Sequence, residues 1–216
     1  MTVAQYQKVH ELNQTTPDTV EQLGWIICAL YNKSEAEVNS YSPRKFLRIV
    51  SKISKQITAK PSRFFAISLQ TDATKITLGQ FIECQYWLRD GRNVIEVLDL
   101  VAASILIKRT EHGKDADYIR SQPFTKVLPK VEAFVTSMNS LIKNYSGLFE
   151  LSQDEDEEPE KPHPFITQYG WIFSATAVAE HERITLDQAF DIGIIQALNA
   201  LAFLKSKQAY EKLKAK

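Results

Sequence analysis

The stretch Leu151 to Pro164, LSQDEDEEPEKPHP, constrains this chain more than any other, because it carries six carboxylates and three prolines with almost no apolar side chain. Such a run cannot repay the entropy of ordering its own backbone. It reads as a solvated linker at 151–164 between a main domain, 1–150, and a smaller piece, 165–216. The same run would also serve as an acidic surface loop inside one domain if Phe165 to Trp171 fold back onto the larger part.

Two hundred and sixteen residues suffice for one good-sized core plus an appendage, or for two small domains. Lys and Arg together number 26, as do Asp and Glu, so no overall basic field exists to attract a nucleic-acid backbone. Two basic clusters stand out locally: Arg44, Lys45, Arg48, Lys52 and Lys55, and Lys205, Lys207, Lys212, Lys214 and Lys216. Both read as solvated helix faces, and nucleic acid is not expected as a partner. Cys28 and Cys84 each lie in an apolar helical pattern, where a free thiol acts as a small hydrophobe. MTVAQYQKVH lacks the charge and apolar core of a secretory signal. The most apolar run, Val94 to Ile107, is too short and too charged to span a bilayer, so no membrane association is expected.

Helix signals dominate, and the fold class is mainly α. Thr16-Pro17-Asp18 marks a start before Val20, Leu23, Ile27 and Leu30. Ser34 with Glu37 has capping-box spacing, and Ser42-Pro43 precedes Phe46, Val50 and Ile53. These give three helices in the first sixty residues. Phe64 to Leu69 and Lys75 to Thr77 flank a turn-like Thr71-Asp72-Ala73, which leaves room for one small β-hairpin at 64–77. Thr77 with Gln80 then opens a helix containing Leu78, Phe81, Ile82, Tyr86 and Leu88, closed by Asp90-Gly91. Asn93 to Lys108 is apolar nearly all round and predicts a central buried helix. Arg109 to Ser121 reads as a loop with a brief turn at 116–120. Val127 to Gly147 reads as a long amphipathic helix with Pro129 in its first turn.

Beyond the linker, Phe165 to Glu182 places Phe165, Tyr169, Ile172 and Phe173 on one side. Thr185 with Gln188 opens a further helix through Phe190, Ile194, Leu198, Leu201 and Leu204. The pair forms a helical hairpin too small to be stable alone, which must dock on the larger domain, on a copy of itself in a homo-oligomer, or on a partner. Trp171, Phe173, Phe190, Ile194, Leu198 and Leu201 are the candidate partner-binding residues, with Trp171 and Phe173 as aromatic anchors.

Signatures of catalysis and of cofactor or metal binding are missing: there is no glycine-rich phosphate loop, no Cys-x-x-Cys and no His-Glu-x-x-His. Glu180, His181 and Glu182 lack a second histidine one turn away. Glu96 and Asp99 read as the narrow wet edge of the buried helix rather than an acid/base pair. No catalytic, metal or cofactor-binding residue is assigned, and an enzyme is not expected.

The segment Thr74 to Leu100, TKITLGQFIECQYWLRDGRNVIEVLDL, resembles small proteins of the tail-assembly region of tailed bacteriophages. Tyr169-Gly170-Trp171 and the following ITLDQAFDIGIIQALNALAFLKSKQAYEKL are similar to the C-terminal extension of tail assembly chaperones. The resemblance covers about half the chain, and the N-terminal helices, 17–60, exceed the shortest members. It implies a mainly helical chaperone in the host cytoplasm, without catalytic residues, that coats the tape measure protein or another phage tail protein during virion morphogenesis. Alternatives are a structural connector or tail-completion protein retained in the virion, and a helical nucleic-acid-binding regulator using the Arg44 to Lys55 face.

Overall fold

A computed structural model describes residues 1–15, 19–59, 67–149 and 164–214. The chain is mainly α, with twelve α-helices among these residues: α1 Val3–Thr15, α2 Thr19–Tyr31, α3 Glu35–Asn39, α4 Pro43–Ile57, α5 Leu78–Leu88, α6 Leu98–Ser104, α7 His112–Ser121, α8 Phe124–Asn144, α9 Ser146–Phe149, α10 Pro164–Glu182, α11 Leu186–Asp191 and α12 Ile194–Lys214. Extended pairing among them is limited to isolated bridges. The expected cap at 16–18 and all but the last residue of the acidic segment 151–164 lie outside the described residues.

Contacts divide the chain into two compact units, Met1–Leu69 with Trp87–Glu132, and Gln70–Tyr86 with Ala133–Lys216. This runs along different lines from a division into 1–150 and 165–216. The C-terminal helices share their unit with 70–86 and with the later part of α8.

In the first unit, α1 to α4 close one core around Val9, Ile26, Ile27, Val38 and Ile53, with Phe46, Ile49 and Val50 packed against it. Helix α1 is an addition to the three helices expected in the first sixty residues. Thr2 Oγ1 accepts from the Gln5 amide at 3.3 Å and Gln5 Oε1 from the Thr2 amide at 3.0 Å, a reciprocal cap on its first turn. Val20 points outward, and α2 buries Ile26 and Ile27 instead. The Ser34–Glu37 capping box and the Ser42 cap on Pro43 form as the spacing predicts.

The run 93–108 is buried only between Val97 and Leu106, and it is not one helix. Asn93 Oδ1 accepts from the Ile95 amide at 2.9 Å, holding 94–97 in turns, so α6 begins only at Leu98. Past Ser104 the chain turns extended: Leu106 bridges Leu69, and the Ile107 amide donates to Ser68 O at 3.0 Å. Leu98, Val101, Ala102 and Ile105 are wholly buried, as a central element requires. The stretch read as a loop with a brief turn is the ten-residue α7. Its first turn is tied by Asp115, whose carboxylate accepts from the Thr110 amide at 2.9 Å and hydroxyl at 2.8 Å. Because α8 starts at Phe124, Pro129 stands in its second turn rather than its first.

The small hairpin at 64–77 is not what the described part of that segment forms. Leu69 pairs with Leu106, Ala73–Lys75 is a 3-10 turn, and Thr77 pairs with Gly193. Asp72 Oδ1 accepts from the Thr74 amide at 3.0 Å and hydroxyl at 2.7 Å, which winds the chain where a hairpin needs it extended.

In the second unit the helix expected after Thr185 is two. The Thr185–Gln188 box caps α11, but Ile192 is extended. Leu78 N donates to Ile192 O and Ile194 N to Ile76 O, both at 2.9 Å, so the chain leaves the helix to pair with Ile76–Thr77. Thr77 and Gln80 cap α5 reciprocally at 3.1 and 3.2 Å. Tyr145 donates to Asn199 Oδ1 at 2.7 Å, and Lys205 to Gly147 O at 2.5 Å, joining α12 to the end of α8 and the start of α9.

Candidate functional site

Helix α10 has apolar residues on two sides. Its inner side buries Ala175, Val178 and Ala179, and Trp171 turns its ring edge to Phe81, centroids 5.6 Å apart at 80°. At 3.6 residues per turn, Tyr169, Ile172 and Phe173 fall within an arc of about 100° on another side. They are 42%, 49% and 61% exposed. The side that periodicity marks as apolar is therefore the outward one. Alanines allow the inner side to pack closely without large side chains, which hides its core role from a reading based on bulky residues.

The six candidate partner-binding residues separate by burial. Ile194 and Leu198 are core and cannot meet a partner in this conformation. Phe190 lies over α5: a Cβ at Gly79 would stand 3.1 Å from Phe190 O and 3.3 Å from its Cβ. Leu201 and Trp171 are half-buried, and Phe173 alone of the six is mostly exposed. Sequence reasoning therefore placed one of its two aromatic anchors on the open face and the other in the packing beneath.

One cluster in the first unit has the residue types of acid/base and nucleophilic chemistry. Ser104 Oγ lies 3.2 Å from His112 Nε2, and His112 stacks on Trp87 at 5.6 Å, with Asp115 one turn further along α7. The types are those of a nucleophilic triad. The geometry is structural: Ser104 is wholly buried and donates to Leu100 O at 3.1 Å, and Asp115 is engaged by Thr110. Burial works against the charge of Asp115, but the Thr110 bonds with Arg109 and His112 outweigh it and hold the carboxyl below its ordinary value.

Asp99, expected at a wet edge with Glu96, is buried. Its Oδ2 accepts from Arg120 Nε at 2.6 Å and its Oδ1 from Gln7 Nε2 at 2.8 Å. The bond to Asp99 and its charge hold the Arg120 guanidinium above its ordinary value. Glu96 sits in the preceding turn, bonded by Gln14 at 3.4 Å, so the two carboxylates have different jobs. An open depression of about 390 Å³ runs along α1 past Gln7, Lys8, Glu11, Gln14 and Glu96. Within it Lys8 is paired with Glu11 at 2.8 Å, and Glu96 accepts from the neutral Gln14 amide.

Among the described residues no group of three His, Cys, Asp or Glu side chains is placed to share a metal ion, and no helix is long and apolar enough to cross a membrane. Comparison with protein-family models, with curated proteins and with solved structures finds no match.

Proposed function

We propose that this chain is a protein-binding module of phage tail assembly, a chaperone that holds the tape measure protein or another tail protein in the host cytoplasm. The observation that carries the binding role is the outer side of α10, where Tyr169, Ile172 and Phe173 stand exposed on a helix whose inner side is fixed by Ala175, Val178 and Ala179. A preorganised apolar stripe at i, i+3 and i+4 is what a helical client needs to dock. The client class comes from the resemblance of Thr74 to Leu100 and of the C-terminal helices to tail assembly chaperones.

The test is co-expression with a phage tape measure protein. Ile172→Ser with Phe173→Ser removes the stripe from solvent-facing positions, so the melting temperature stays within a few degrees while the client moves to the insoluble fraction. A client that stays soluble with the double variant overturns the reading. Mass spectrometry of purified virions separates the chaperone from a retained connector, since a chaperone is depleted from the mature particle.

A further inference from the structure

The five cations near the start of the chain form one continuous face. At 3.6 residues per turn, Arg44, Lys45, Arg48, Lys52 and Lys55 all fall within about 100° of the α4 circumference. All five are exposed, and α4 contains no acidic residue. The opposite side, Phe46, Ile49, Val50, Ile53 and Ile57, is packed on the core of α1 to α3, which fixes the cationic side toward solvent. Among the described residues none of the five makes an ion pair; Lys45 sits over the Tyr41 ring at 3.4 Å.

The C-terminal lysines differ. Lys205 donates to Gly147 O, Lys207 reaches Glu211 at 3.9 Å, and Lys214 lies over Tyr210 at 4.8 Å. Each has a local use. Those of α4 other than Lys45 have none, and like charges held on one face repel one another unless an anion lies across them.

We infer that this face of α4 binds the phosphate backbone of a nucleic-acid duplex without reading its sequence. The charges suit a polyanion: Arg44 to Lys55 spans about 16 Å at 1.5 Å per residue, with five cations along it to set against the regularly spaced phosphates of a strand. Two of the five are arginines, whose planar forks grip phosphate oxygens at two points. The Tyr41 ring beside the face is half-buried with Lys45 over it, so it offers unstacked bases no open platform and a duplex suits the face better than a single strand. Cations facing outward along one helix meet phosphates first, and phosphate contacts carry no sequence information. This site is separate from α10 and stands or falls independently of the chaperone reading.

The experiment titrates the full chain against a fluorescent 30-base-pair DNA of arbitrary sequence across a range of salt. With up to five phosphates neutralised, log Kobs falls against log salt with a slope of about −3 to −4.5. Arg44→Gln, Arg48→Gln, Lys52→Gln and Lys55→Gln combined lower affinity at least tenfold and flatten the slope toward −1, with an unchanged melting curve because all four side chains are exposed. Lys207→Gln, Lys212→Gln and Lys214→Gln combined leave both quantities within twofold. A flat salt response, equal loss from the two sets of substitutions, or polyglutamate displacing the DNA at equal charge concentration each overturns the inference; the last would assign the face to an acidic polypeptide instead.

Discussion

The N-terminus of α1 and the N-terminus of α5 use the same local device in the two units. Thr2-Val3-Ala4-Gln5-Tyr6 and Thr77-Leu78-Gly79-Gln80-Phe81 both place a reciprocal threonine–glutamine cap on a helix. In both, the residue after the threonine donates its amide across to an extended pair joining a shorter helix to one of 21 residues. Val3 N reaches Gln122 O at 2.8 Å before α8, and Leu78 N reaches Ile192 O at 2.9 Å before α12. The return bonds are Phe124 N to Met1 O and Ile194 N to Ile76 O.

What differs is the packing. Tyr6 is half-buried and stacks flat on Phe124, with centroids at 4.1 Å and 7°, whereas Phe81 is wholly buried and meets the edge of Trp171. Ala4 is exposed, whereas Gly79 is crowded by Phe190. Backbone hydrogen bonds are thus reproduced twice while side-chain volume sets how deeply each copy is buried. A main-chain device tolerates such changes because it depends on no side chain beyond threonine and glutamine.

The largest effect separating the copies is expected from truncating the aromatic. Phe81→Ala should cost about 3 to 5 kcal/mol, the usual range for a buried phenylalanine, and Tyr6→Ala clearly less. Urea unfolding of both variants checks this, and equal losses would break the contrast between them. Next is the small residue. Gly79→Ala should destabilise by about 1 to 3 kcal/mol, because the Phe190 backbone must give way. At Ala4 the reverse change, Ala4→Gly, should cost no more than about 1 kcal/mol, a propensity effect alone. A neutral Gly79→Ala would show that the α5–α11 approach relaxes freely.

The smallest effect is acid. Asp99 and Asp115, the buried carboxylates among the described residues, both belong to the first unit. Asp115 has its folded pKa depressed, so its contribution is present above the unfolded value, about 3.9, and is lost as pH falls through the lower folded value. Hydrogen exchange followed by mass spectrometry from pH 5.5 to 3 should show protection falling earlier in 98–121 than in 175–200. Parallel loss in both segments would remove Asp115 as the cause.

Where the signal is local, the sequence carried it. Ser34 with Glu37, Thr77 with Gln80 and Thr185 with Gln188 all form the boxes their spacing predicts, because a cap involves four consecutive residues and little else. Thr2 with Gln5 has the same spacing and was overlooked at the chain start. Long-range pairing was not legible: Leu69 with Leu106 and Thr77 with Gly193 are each far apart in sequence, so β-prone residues at 64–77 point to a hairpin, whereas the described residues 67–77 pair elsewhere. At the candidate site, Phe173 could be named from its position on α10, but its exposure could not.

The amino-acid sequence alone determined that this chain is mainly helical, where several caps fall, that the middle of 93–108 is central, and that α4 has one cationic and one apolar side. These follow from side-chain chemistry repeated at helical spacing. Tertiary structure decided which apolar side of α10 is core, since Tyr169, Ile172 and Phe173 are bulkier than the alanines of the neighbouring side, yet the alanines allow the closer approach. It also decided that the C-terminal helices share a unit with 70–86. Backbone hydrogen bonds between Ile76–Leu78 and Ile192–Ile194 contribute to that grouping, and main-chain groups carry no mark of their partner in the sequence.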